Sequence, residues 1–136
     1  MEPETIRILL VDSHDSVRLG LTTALGLVDD LRVIGEAPGG IEALRLCARL
    51  RPDVVLLELQ LPDHDGIALL RLLRERCPCS RVVVLTSAAG AELRRRALAA
   101  GADDYLPKYV SRDELAAVIR AVATRDGTTE EQGGER

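Results

Sequence analysis

The sequence predicts a doubly wound α/β domain on a five-stranded parallel sheet. Five short apolar runs alternate with five stretches of helical period, and the runs are apolar almost throughout rather than at every second residue. Each helix between two strands returns the chain to the same edge, which makes neighbouring strands parallel, and unbroken apolar strands need cover on both sheet faces. The chain has 136 residues, enough for one compact core without metal or disulfide staples.

The expected strands are Ile6 to Val11, Leu31 to Ala37, Val54 to Leu59, Val82 to Thr86 and Asp104 to Pro107, each bounded by Gly, Pro, Asp or Ser. Between them the apolar positions recur at helical spacing. Val17, Leu21, Ala24 and Val28 mark the first helix, and Ile41, Leu44 and Ala48 the second. Leu69, Leu70 and Leu73 mark the third, and Leu93, Ala97 and Ala100 the fourth. The fifth carries Leu115, Val118, Ile119 and Val122 behind a capping box of Ser111 and Glu114. From about Arg125 to Arg136 no apolar residue remains to bury, so residues 1–124 are expected to fold and 125–136 to form a polar linker or tail.

Composition removes several classes of function. With 22 acidic against 18 basic side chains and a net charge of -4, the balance argues against the domain itself gripping nucleic acid, since neutralising phosphates needs clustered Lys and Arg. No apolar run is long enough to span a membrane, and no basic segment precedes an apolar one at the N-terminus, so a cytoplasmic protein is expected. Cys47, on the apolar face of a helix, and Cys77 and Cys79, around Pro78 in a loop, form no CxxC pair and fit reduced structural thiols better than a disulfide framework or a zinc site. Tyr105 and Tyr109 are the only aromatics, so the core must be aliphatic. Seventeen of the 18 basic residues are Arg, and the one Lys is Lys108.

In open α/β sheets the ligand site lies beyond the C-terminal strand ends, where strand order reverses. This sequence puts Asp12, Ser13 and His14 after the first strand, Glu58 and Gln60 after the third, Thr86 and Ser87 after the fourth, and Lys108 after the fifth. Two carboxylates, a hydroxyl and an ammonium therefore converge on one crevice. No GxGxxG or GxxxxGK[ST] follows the first strand, which leaves nucleotide phosphates without a cradle. No GxSxG elbow or Cys/His pair is present. His14 and His64 fall in loops without partners at metal spacing and are expected to be solvated.

The stretches Ile8-Leu-Leu-Val-Asp-Ser-His14, Pro52-Asp-Val-Val-Leu-Leu-Glu-Leu-Gln-Leu-Pro-Asp-His-Asp-Gly66, Val82-Val-Val-Leu-Thr-Ser87 and Gly101-Ala-Asp-Asp-Tyr-Leu-Pro-Lys108 resemble the receiver domain of bacterial two-component response regulators. The likeness runs from the first strand to about Thr124, with the motifs in order. Val17-Arg-Leu-Gly-Leu21 and Ile119-Arg-Ala-Val122 further resemble the NarL/FixJ subfamily, in which a receiver precedes a helix-turn-helix domain; this chain ends before one. The resemblance implies a flavodoxin-like strand order of 2-1-3-4-5 with five helices. It also implies phosphoryl transfer from a histidine kinase to a carboxylate after the third strand, assisted by Mg²⁺.

Carried over by position, Glu58 stands at the phosphoacceptor place, and Asp12 with Ser13 at the acidic pair. Thr86 is the hydroxyl that meets the phosphoryl group, Tyr105 the switch aromatic and Lys108 the ammonium. Asp12, Glu58 and the carbonyl of Gln60 would hold the metal. Two positions depart from the pattern: Ser13 replaces a metal-binding acid, and Glu58 extends the acceptor carboxylate by one methylene, roughly 1–1.5 Å of reach.

The expectation is an atypical, non-enzymatic receiver that requires no cofactor, with a weakened or lost Mg²⁺ site, and that is phosphorylation-independent or phosphomimetic. It would work as a homodimer with an attached or partner helix-turn-helix domain, a histidine kinase being a further partner. An ordinary Mg²⁺-dependent phosphorylatable receiver, in which Glu58 is an engineered replacement for Asp, and a small-molecule-sensing module are the alternative readings. Arg94, Arg95 and Arg96 cannot all share one helix side and are expected to be solvated for the most part.

Overall fold

The computed structural model describes residues 4–87 and 90–124; the expected tail, 125–136, lies outside them. Strands β1 (Ile6–Val11), β2 (Leu31–Ala37), β3 (Val54–Leu57), β4 (Arg81–Thr86) and β5 (Asp104–Pro107) alternate with helices α1 (Asp15–Leu25), α2 (Gly40–Leu50), α3 (Gly66–Arg76), α4 (Ala91–Ala99) and α5 (Arg112–Ala123). All four strand pairings are parallel, in the order β2-β1-β3-β4-β5, as expected. Strand order reverses between β1 and β3, which places the crevice at their C-terminal ends.

Alternation along each central strand divides the core in two. Leu9, Val11, Val55, Leu57, Val82 and Val84 face α2, α3 and α4, where Leu69, Leu70, Leu73 and Ala97 meet them. Ile8, Leu10, Val54, Leu56, Val83 and Leu85 face the other way, onto Leu25 of α1 and Leu115, Ile119 and Val122 of α5. Strands buried on both sides need the continuous apolar character seen in the sequence. The start of α5 is capped as expected, Ser111 Oγ accepting from the Glu114 N–H at 3.1 Å.

Three expectations need correction. Strand β3 ends at Leu57, two residues early: Glu58 still donates its N–H to the Val11 carbonyl at 3.0 Å, but the chain then turns into the β3–α3 connection. Helix α2 buries Ala43, Leu46 and Cys47, and Leu44 packs half-buried against the same core, but Ile41, 67 % exposed, and Ala48 lie outside it. Both sets satisfy a helical period, and the small Gly40 and Ala43 let the helix approach closely on their side. In α1 the buried residue is Leu25, while Val17, Leu21 and Ala24 are half-buried and Val28 lies past the helix end.

The β3–α3 connection is built by close approach. A Cβ on Gly66 would meet the Leu59 carbonyl oxygen at 2.2 Å, so only glycine fits. Asp65 caps α3, accepting from the N–H groups of Ile67 at 2.9 Å and Ala68 at 3.3 Å. Asp63 reaches across to α2 and accepts from Gly40 N–H at 2.8 Å and Ile41 N–H at 3.1 Å, so a distant loop caps that helix. His64 lies against Gly40, where a Cβ would meet its Nδ1 at 2.4 Å.

The α2 assignment separates two substitutions. Leu46→Ala is expected to cost about 2–5 kcal/mol in urea unfolding, whereas Ile41→Ala stays within about 0.5 kcal/mol; equal losses would place Ile41 in the core.

Candidate functional site

Asp12, Glu58, Ser80 and Thr86 are the buried polar or charged residues among those described, and all but Ser80 meet in the crevice. Each arrives on a strand end. Asp12 follows β1 and donates its N–H to Ala37 of β2 at 3.0 Å. Thr86 ends β4, and its carbonyl accepts from Lys108 N–H at 3.1 Å, which aligns the residue after β5 with the crevice.

The ammonium of Lys108 joins the two carboxylates. Its Nζ lies 2.5 Å from Asp12 Oδ2 and 2.8 Å from Glu58 Oε1. The other Glu58 oxygen, Oε2, accepts from Thr86 Oγ1 at 2.5 Å and from the Gln60 N–H at 2.9 Å, and Ser87 N–H points at Oε1 from 3.3 Å. Asp12 Oδ1 accepts from the His14 N–H at 2.9 Å, with His14 Nδ1 at 3.2 Å. One cation thus serves two buried anions, and neutral N–H and O–H donors cover the charge left over.

Burial alone would raise both carboxyl pKa values, yet both are lowered. For Glu58 the hydrogen bonds from Lys108, Thr86 and Gln60 outweigh the cost of desolvation. For Asp12 the Lys108 ammonium and the His14 N–H do the same. Lys108 is disfavoured as a cation by burial, but Asp12 and Glu58 more than compensate and raise its pKa. All three groups are therefore ionised near neutral pH.

The remaining residues named from sequence take up varied places. Ser13 is half-buried at the turn between Asp12 and His14. Gln60 is exposed; its backbone N–H serves Glu58, and its side-chain Oε1 accepts from Ser87 Oγ at 3.2 Å. Tyr105 is half-buried against the α2–α4 side of the core, and its pKa is raised by burial first and then by the negative charge of Glu58, with Arg94 opposing. Arg94, Arg95 and Arg96 are exposed, and Arg95 pairs with Glu92 on its own helix. His14 is exposed as expected, but Nδ1 of His64 is buried without a hydrogen-bond partner, contrary to the solvated loop residue expected.

Residues that sequence reasoning missed include Arg18. Its guanidinium reaches from α1 to the Asp12 carbonyl and to Asp15, and its Nε is 3.1 Å from Glu36 on β2. An Arg within the half-apolar face of α1, flanked by Val17 and Leu21, was the available signal. Among the described residues no three His, Cys, Asp or Glu side chains are grouped to hold a metal ion, and no helix is long and apolar enough to cross a membrane.

Comparison with known proteins bears directly on this arrangement. The family model described as "Response regulator receiver domain" matches residues 8–120. The chain belongs to that family. Its relatives include the response regulator protein VraR of Staphylococcus aureus, 33% identical over 126 residues that cover 93% of this chain and 60% of the relative. This receiver thus spans less than two thirds of that relative's length. The receiver domain of a putative response regulator NarL from Mycobacterium tuberculosis superposes with a TM-score of 0.83 at 32% identity, covering 90% of this chain and 100% of that one. A LuxR-family two-component response regulator from Aurantimonas sp. SI85-9A1 gives 0.83 at 33% identity, covering 88% and 86%. The receiver is therefore a component of two-component signalling related to NarL- and LuxR-type regulators.

The charge arrangement dictates a pH response. Carboxyl pKa values lowered in the fold contribute stability that is present above their unfolded values, near 4, and lost as pH falls through the folded ones; the raised Lys108 value contributes below about 10.4 and is lost above. In Lys108→Met burial acts on the carboxylates without its counter-charge. That variant is expected to lose about 3 kcal/mol at pH 7 and to gain stability as pH falls from 7 toward 5. A variant whose urea midpoint shows no gain relative to the parent's over that range would contradict the assignment.

Proposed function

We infer that this receiver is a regulatory interaction module, not an enzyme, whose output does not wait for phosphorylation. The observation that carries this reading is the Glu58 carboxylate, whose oxygens meet Lys108 Nζ, Thr86 Oγ1 and the N–H groups of Gln60 and Ser87. Lys108 and Thr86 are the groups that the family likeness assigns to a phosphoryl group. Glu58 offers them a permanent single negative charge where phosphorylation would supply about two.

The donor set does not fit a resident Mg²⁺ of the usual kind. A hard divalent cation wants several oxygen ligands in octahedral array, and among the described residues of the crevice only Asp12 and Glu58 offer carboxylates, both already bound to an ammonium. Ser13 adds no charge. The set Asp12, Glu58 and the Gln60 carbonyl is thus a weak metal site at most, and no step of the proposed function passes through a metal.

Residues 1–124 would form the receiver and 125–136 a polar connection to a helix-turn-helix output domain. The module would act in the cytoplasm as a homodimer, through protein contacts and without touching nucleic acid itself. The relation to NarL- and LuxR-type regulators supports this part of the reading.

Acetyl phosphate with Mg²⁺, followed by intact-mass measurement, tests the proposal. The unchanged chain should gain no phosphoryl group and show no metal-dependent change in Tyr fluorescence. The double variant Ser13→Asp/Glu58→Asp should become phosphorylated. A phosphoryl adduct on the unchanged chain would overturn the reading.

A further inference from the structure

Away from the crevice, a cavity of about 390 Å³ opens between the C-terminal end of α2 and the α3–β4 connection, lined by Cys47, Cys77, Cys79, Ser80, Arg51 and Arg76 among others. All three cysteines of the chain border it. They are chemically unequal. Cys47 and Cys77 are buried, while Cys79 is exposed. The Cys47 thiol contacts Cys77 and lies 3.7 Å from Ser80 Oγ, which itself donates to the Pro52 carbonyl at 2.6 Å. Burial, reinforced by the Cys77 thiol, pushes the Cys47 pKa up to about 12, so Cys47 stays a protonated, unreactive thiol near neutral pH. The exposed Cys79 is left as the thiol that a reagent in solution can reach.

The rest of the lining carries charge of one sign. Arg51 and Arg76 are both exposed, and among the described residues no acidic side chain borders the cavity. A volume of this size lies within the range of small-molecule sites, and exposed guanidiniums are ready partners for carboxylates. We propose that this cavity is a modification site, at which Cys79 forms a mixed disulfide with a small thiol compound bearing carboxylates, held by Arg51 and Arg76.

The step is an ordinary thiol–disulfide exchange. Cys79 gives its proton to solvent, and its sulfur attacks one sulfur of the incoming disulfide. The reagent's S–S bond breaks as the new one forms, and the departing half leaves as a thiolate that takes up a proton. The protein thiol is oxidised and half of the reagent is reduced, so no other oxidant is needed.

Oxidised glutathione, an acidic disulfide, and bis(2-hydroxyethyl) disulfide, a neutral one, serve as probes on the full chain, with intact mass and peptide mapping as readouts. The acidic adduct should map to Cys79, disappear in Cys79→Ser and persist in Cys47→Ser and Cys77→Ser. The double variant Arg51→Gln/Arg76→Gln should slow the acidic reagent about fivefold and leave the neutral one unchanged, and added salt should slow the acidic reaction of the parent chain. The neutral reagent also reports whether each variant keeps its fold around Cys79. An adduct on Cys47 or Cys77, a disulfide between two protein thiols in place of the adduct, or equal slowing of both reagents would overturn the proposal.

Discussion

The bridge from Lys108 to Asp12 and Glu58 is the constraint around which the functional end of this domain is organised. Two carboxylates placed within reach of one cation, in a crevice almost closed to water, cannot both stay charged without it. Their presence at the ends of neighbouring strands β1 and β3 therefore requires a cation from a third strand, and β5 delivers it through a backbone bond to Thr86. The ion group ties the centre of the sheet to its edge. Paired buried charges of this kind contribute little net stability compared with apolar residues of the same shape, so their presence points to a use.

The fold was legible because its central strands are buried on both faces. Ile8 to Val11, Val54 to Leu57 and Val82 to Leu85 are Val, Ile or Leu throughout, whereas the apolar runs of the helices, such as Ile67 to Leu70 and Leu115 to Ile119, are interspersed with Ala. Strand order was legible only through family likeness, since periodicity does not say which strand lies beside which. The face of α2 was only partly legible. Two sets of apolar side chains satisfy the same period, and the choice between them depends on where Asp63, more than twenty residues away, fixes the start of the helix.

The site was legible to the extent that its chemistry sits on strand ends. Asp12, Glu58, Thr86 and Lys108 come together where a parallel sheet must bring them. What the sequence does not reveal is the contribution of the backbone: the N–H groups of Gln60, Ser87 and His14 carry no side-chain signature, yet they stabilise the two carboxylates. The buried nitrogen of His64 is hidden for a related reason, because the glycine that admits its ring belongs to another helix.

That contact between Asp63, His64 and the start of α2 has a mechanical meaning. A helix capped by its own N-terminal residue keeps its cap wherever it moves, whereas α2 borrows its cap from the segment that leads away from Glu58. The first turn of α2 and residues 60–65 therefore form one mechanical part, and any event at Glu58 that repositions this segment must either carry the helix start with it or leave two N–H groups without acceptors. A charge change in the crevice would in this way be felt at the surface of α2, away from the hydrogen bonds and ion pair that hold Glu58.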